Sequence, residues 1–297
     1  MRRSFGLLTL ILTLALTTLA QTDDDQVISV DSSIVVLNAS ISDALGNAVL
    51  GLNQKSFRIF EDGVEQKIDS FSADETPFAA VMLFDTSGSM ESRVSIARSG
   101  MIQFLARLRM NDNAAIYNFS SKVDLVQDFS NSRDIRAQAF DLKADGMTAL
   151  NDAVYKAAEV LSKRLEKRRA IVVLSDGADT FSKLSEGEAL KAALSVNAII
   201  YSVDMSSPDL KPAERAKNRA ALTNFAEKTG GRYISTPGGL ALRDAFTRVV
   251  DELGTQYTLT YQPTNIKNDG KWHSIELKVA KPNLTIRTRK GYNASKK

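Results

Sequence analysis

Cysteine is absent from the 297-residue chain, and histidine occurs once. The first absence excludes a disulfide framework, thiol chemistry and a lipidated cysteine at a cleavage site. An excess of charge of one sign is also missing. Thirty-eight Lys and Arg stand against thirty-five Asp and Glu, a formal net charge of +3. Two of those positives, Arg2 and Arg3, fall in a segment predicted to be removed. A nearly neutral mature chain argues against binding nucleic acid by bulk charge, which needs a dense basic surface. The one basic run, Lys163, Arg164, Lys167, Arg168 and Arg169, reads as a solvated face near the end of a predicted helix, where cations suit the helix dipole. Long apolar runs are limited to residues 5–19, shorter than the roughly 20 residues that span a bilayer. With a basic start before it and Thr18-Leu19-Ala20 after it, that run reads as a secretory signal, residues 1–20, cleaved after Ala20. An uncleaved anchor is the competing reading. The expectation is a soluble mature protein that is exported, either periplasmic or secreted.

What remains is ordinary globular material, 43% hydrophobic and 25% charged, enough for one large or two modest domains. Residues 21–75 read as short strands. Val35, Leu37, Ala39 and Ile41 alternate, Phe57 and Ile59 follow, and Glu61-Asp62-Gly63 marks a turn. From Phe78 to Phe84 the sequence becomes continuously apolar, as in a strand covered on both faces by helices. That character repeats at residues 114–117, 171–174 and 198–203. Helical stripes run through Val94, Ala97, Met101 and Leu108, through Leu150, Val154, Ala157 and Leu161, and through Leu242, Phe246, Val249 and Leu253. Residues 76–254 are therefore predicted to form an α/β domain with a mostly parallel sheet wrapped by helices, its ligand site at the carboxyl ends of the strands. Strand patterning returns in residues 255–297. Each β flank is close to the size below which a domain rarely folds alone. The two flanks are expected to pair into one β-sandwich around the inserted α/β domain.

The first apolar strand runs into Asp85-Thr86-Ser87-Gly88-Ser89. Asp145-Gly146-Met147-Thr148 opens the second helix, and Ser175-Asp176-Gly177 closes another buried strand. Three loops should thus meet at one sheet edge. Asp85, Ser87, Ser89, Thr148 and Asp176 are hard oxygen donors, which suit Mg²⁺, Mn²⁺ or Ca²⁺ rather than zinc, copper or iron. Two carboxylates only balance a divalent ion, so a partner protein offering an acidic side chain is the natural last ligand. Asp152, early in the second helix, reads as a complement to the helix dipole. The surrounding loops, residues 176–188 and 205–213, read as short and polar, without an aromatic cluster of the kind a carbohydrate platform needs.

Asp85-x-Ser87-x-Ser89, Thr148 in Gly146-Met147-Thr148-Ala149-Leu150, and Asp176 in Ser175-Asp176-Gly177 resemble the metal-ion-dependent adhesion site of von Willebrand factor A domains, with all five positions filled. The flanking Gly51-Leu52, Asp62-Gly63 and Arg289-Lys290-Gly291-Tyr292 resemble exported bacterial proteins related to that family. The resemblance implies a Rossmann-like fold and a bound Mg²⁺ ion. It further implies that Ser87 and Ser89 bind the ion directly, Thr148 directly or through water, and Asp85 and Asp176 often through water. In some relatives the last helix slides when the metal gains a ligand; here that helix would span residues 240–253.

Two other classes are open to the same residues. A hydrolase of the haloacid dehalogenase type would need a second aspartate two residues after Asp85, where Ser87 stands. A serine hydrolase would need a neighbouring base, and the one histidine, His273, falls in the β flank, where it reads as a strand residue. The chain is thus expected not to be an enzyme. The third class is a structural scaffold that binds partners without metal, its Asp and Ser residues merely forming turns and caps.

Overall fold

The computed structural model describes residues 34–134, 144, 146–235, 239–265 and 269–294. The expected signal segment, residues 1–20, and Asp145 lie outside the described residues. The α/β domain is built on six strands: β5 (Phe78–Asp85), β6 (Asn113–Phe119), β7 (Val123–Ser130), β8 (Arg168–Ser175), β9 (Ala198–Asp204) and β10 (Arg232–Ser235). They lie in the order β10-β9-β8-β5-β6-β7. All neighbours are parallel except β7, which returns antiparallel to β6.

Every residue of β5 is buried, and alternation decides which helices each side chain meets. Phe78, Ala80, Met82 and Phe84 pack with α1 (Val94–Ala106) and α5 (Gly239–Gly254). Ala79, Val81 and Leu83 face α2 (Leu150–Ser162), α3 (Glu186–Ser195) and α4 (Pro212–Thr229). Burying a large apolar side chain is worth about 1.5–3 kcal/mol. Two-sided burial is why the strand has no polar alternation to reveal its faces. The chain leaves β5 toward β6 on one side and builds β8, β9 and β10 on the other. The order of connection therefore reverses between β5 and β8, and the carboxyl ends of the strands at such a reversal are where open α/β sheets place their ligands.

The flanks pair with each other. Strand β1 (Val35–Ser42) lies antiparallel between β11 (Tyr257–Tyr261) and β13 (Thr285–Arg287), with β4 (Ser70–Ser72) beyond β11. The second sheet joins β2 (Phe57–Glu61) to β12 (Trp272–Val279), with β3 (Val64–Gln66) and β14 (Gly291–Asn293) at its edges. Leu37, Ala39, Ile59, Leu259, Tyr261 and Leu277 share one core between the two sheets. The Tyr261 hydroxyl crosses from one sheet to the other and donates to Glu61 Oε2 at 2.6 Å. Tyr257 clamps the Gly51-Leu52 loop, donating to the Val49 carbonyl at 2.9 Å and accepting from the Leu52 amide at 3.0 Å.

The basic run at residues 163–169 is a solvated face only in part: Lys163 and Lys167 are exposed, whereas Arg168 and Arg169 turn inward. Arg168 is fully buried. Its guanidinium donates to the carbonyls of Leu253 (3.2 Å), Gly254 (2.8 Å) and Gln256, where α5 gives way to β11. It also donates to those of Asp74 (2.8 Å) and Thr76 (3.5 Å), where the N-terminal flank enters β5. Arg169 is turned inward too, bonding the carbonyls of Arg164, Glu166 and Val196. Two arginines that read as surface charge instead satisfy backbone acceptors that burial would otherwise orphan. The Arg109 guanidinium packs directly over Gly254 at this junction.

Arg168→Met keeps the apolar stem but strands these carbonyls, so it should cost about 3 kcal/mol or more in urea unfolding. A loss below about 1 kcal/mol would show that the junction does not depend on the guanidinium.

Candidate metal centre

Asp85 is the last residue of β5 and is completely buried. Three of the roughly four acceptor sites of its carboxylate are taken. Oδ1 accepts from the Ser87 amide at 2.9 Å and the Ser87 hydroxyl at 2.6 Å. Oδ2 accepts from the Ser175 hydroxyl at 2.5 Å. That last bond joins the ends of β5 and β8. Ser87 Oγ lies 3.2 Å from Ser89 Oγ, so one tight loop holds two hydroxyls and a carboxylate together. Ser87 is buried, whereas Ser89 is exposed.

The second loop is tied to the first through its backbone: the Gly88 amide donates to the Gly146 carbonyl at 3.1 Å. Buried Thr148 follows two residues later, its amide held by the Thr180 hydroxyl at 3.0 Å. On the third loop, Asp176 caps its own turn, accepting from the Ala178 amide at 3.0 Å. Gly177 then turns the chain with φ of 80°, and a Cβ there would meet the Asn218 carbonyl at 2.6 Å. Only glycine meets both demands. Asp85, Ser87 and Ser89 are thus in direct contact, Asp176 is close enough to act electrostatically on Asp85, and the Thr148 loop is hydrogen-bonded to its neighbours on both sides.

Burial pushes the Asp85 carboxyl up to about 6. The hydrogen bonds from Ser175 and Ser87 pull the other way, and the neighbouring Asp176 adds to the rise. A desolvated carboxylate beside a second one, with hydroxyls converging on it, fits a divalent cation by its donor chemistry. Ser175 is the functional residue that the sequence pattern does not single out. It precedes a ligand candidate and reads as an ordinary strand end, yet it aligns Asp85 and accepts the Gly177 amide at 3.0 Å.

Two further acidic features have structural partners. The Asp152 carboxylate accepts from the amides of Lys183 and Leu184, so it fastens a loop as well as standing in the first turn of α2. Glu61, Asp62 and His273 also cluster, but their atoms are engaged. Glu61 takes the hydroxyls of Tyr261 and Tyr292. Asp62 takes the Ser274 amide and hydroxyl, and pairs with His273 Nδ1 at 2.8 Å. This group stitches β2 to β12.

Residues 80–178, a stretch containing all five site residues, match the family model of the von Willebrand factor type A domain. No curated protein matches the chain. Among solved structures, the chain is similar to the von Willebrand factor domain of the type V pili tip protein Mfa5 from Porphyromonas gingivalis, at 12% identity and a TM-score of 0.50, covering 66% of this chain and 100% of that one. It is likewise similar to proximal thread matrix protein 1 from the mussel byssus, at 16% identity and a TM-score of 0.50, covering 65% and 51%. Similarity to the PilB minor pilin from Streptococcus sanguinis is at 18% identity and a TM-score of 0.46, over 62% of this chain and 63% of the pilin. At these identities the likeness is one of fold. The α/β domain has the von Willebrand factor A-type fold.

The raised Asp85 pKa carries a sign. The folded carboxyl holds its proton more tightly than the unfolded one, so this part of the stability is present below about pH 4 and is lost as pH rises through about 6. At 1.36 kcal/mol per unit, the ionised group costs the metal-free fold about 3 kcal/mol at neutral pH. Without divalent ions, Asp85→Asn should therefore melt at a higher temperature than wild type near pH 7.5, with the gap closing toward pH 4. A variant melting below wild type across that whole range would refute the assignment.

Proposed function

We propose that the chain is an exported, non-catalytic interaction module. Asp85, Ser87, Ser89, Thr148 and Asp176 would hold one divalent ion, Mg²⁺ foremost, at the carboxyl edge of the sheet. The bound ion would supply a charge-dense Lewis acid able to take a carboxylate from a partner protein. The observation that carries this reading is the completely buried Asp85 carboxylate joining the first and third loops while the Ser87 and Ser89 hydroxyls converge beside it. These residues set the donor atoms, exclude water from Asp85 and fix the edge from which a partner would approach. The family match over residues 80–178 supports the same reading. So does the likeness in fold to the corresponding domain of a pili tip protein.

Export rests on the basic, apolar and small-residue pattern of residues 1–20. No helix among the described residues is long and apolar enough to cross a membrane. A non-catalytic role is supported by the single histidine, which lies in the sandwich and is paired with Asp62.

A Mg²⁺ and Mn²⁺ titration by calorimetry and thermal shift tests the reading, set beside an Asp85→Ala/Ser87→Ala variant. An ion at about 100 times its Kd should add roughly 2.7 kcal/mol to the native state. For a chain of this size that is a rise of about 5–10 °C. The variant should show neither heat nor shift. Identical responses from both proteins, or none from wild type, would leave a scaffold that recognises partners by surface shape alone.

A further inference from the structure

We propose that Met147 and Phe181 form an apolar clamp beside Thr148, so that the partner presents an acidic side chain next to a large aliphatic or aromatic one. This rests on the proposed metal-bridged function and specifies the partner's chemistry at that same site. The residues flank Thr148 in space. Met147 precedes it in the chain, and the Thr148 carbonyl accepts from the amides of both Thr180 (2.8 Å) and Phe181 (2.9 Å). The two side chains are 53% and 47% exposed.

Single exposed hydrophobics are common and need no explanation. What sets Phe181 apart is the rigidity with which its loop is held. The Asp179 carboxylate accepts from the Asn151 amide at 2.9 Å and from the Ser182 hydroxyl at 2.7 Å. The Ser182 hydroxyl in turn accepts from the Asp152 amide at 3.2 Å, and the Asp152 carboxylate takes the amides of Lys183 and Leu184. The Asn151 side chain donates to the Leu184 carbonyl at 3.2 Å. The start of α2 and residues 179–184 thus hold each other reciprocally, and the one large aromatic between them is left facing solvent. An aromatic anchor on an already ordered loop loses little entropy on binding, which is the usual character of an energetic hot spot. An acid for the metal and an apolar neighbour for the clamp meet both halves of this surface.

A random linear peptide library displayed on phage, selected on wild type in Mg²⁺ and eluted with EDTA, reads this directly. The expected winners carry Asp or Glu beside Leu, Ile, Met or Phe. The same selection on Met147→Ser/Phe181→Ser should keep the acid and lose the apolar preference, and wild-type winners should bind that variant at least about tenfold more weakly. Both residues are about half exposed, so the variant should still fold, with a melting temperature within a few degrees of wild type. A Met110→Ser/Leu165→Ser variant, altering still more exposed hydrophobics before β6 and before β8 at the opposite sheet edge, should select as wild type does. Acidic winners with no apolar preference, or the same preference in the Met147/Phe181 variant, would overturn the clamp and leave the metal reading intact. No EDTA-eluted acidic winners at all would overturn both.

Discussion

The Arg168 guanidinium is the point on which the two parts of the molecule are hung. An α/β domain inserted into a β-sandwich is joined to it by two chain crossings, each passing from one sheet system to another with no regular partner for its carbonyls. Arg168 collects both crossings and the frayed end of α5 on a single planar donor group. Burial lowers its pKa to about 10, with Arg109 contributing, yet it stays charged at any physiological pH. A cation without a directly bonded carboxylate is tolerated here because helix-end carbonyls carry partial negative charge. Lysine, with a point charge and no fork, could not span the same acceptors.

Fixing the crossings fixes the sheet, and the sheet fixes the site. Asp85 and Ser175 end adjacent parallel strands in register, so their side chains meet without any loop having to find them. The same placement strips water from Asp85. The resulting conflict, a desolvated carboxylate beside Asp176, is local strain of the kind that marks a binding centre, and the proposed cation would relieve it.

Much of this was legible in the sequence because burial on both faces writes a continuous apolar run, as at Phe78–Asp85, and because the three loop motifs follow such runs. The missed elements lack that signature. Helix α4 buries Asn218, Leu222, Phe225, Ala226 and Thr229, and the polar residues at both ends of that face leave only a short apolar stripe. Helix α3 fully buries only Ala189, Ala193 and Leu194, with Leu190 partly buried against the same core. Its Ser185 and Glu188 capping box was nonetheless readable, and it places the helix start inside a stretch taken as loop. Strand β7 is an edge with mixed burial, and β10 is four residues long. Arg168 misled because charge composition says nothing about which arginine turns inward. Phe181 was overlooked because a lone aromatic in a polar loop becomes informative only when the loop proves rigid.

The placement of α5 bears on whether site and sandwich communicate. At its start, Leu242 lines a cavity of about 330 Å³ with Arg93, Ile96, Ser206 and Arg215, next to the Asp176 loop, since Ser206 bonds the Asp176 carbonyl. At its end stand the Arg168 bonds and Glu252. Burial pushes Glu252 upward, but the guanidinium groups of Arg287 and Arg232 hold its pKa below the usual range. Sliding α5 along its axis, as happens in some relatives, would withdraw Leu253, Gly254 and Glu252 from these partners together. Each charge-assisted bond is worth about 1.5–3 kcal/mol, whereas a whole allosteric coupling is typically about 1–3 kcal/mol. A ligand shifts an equilibrium only by its differential affinity for the two states. In the described state α5 is therefore held as a strut, and under the proposed function specificity would belong to the rigid rim of the site rather than to a moving helix.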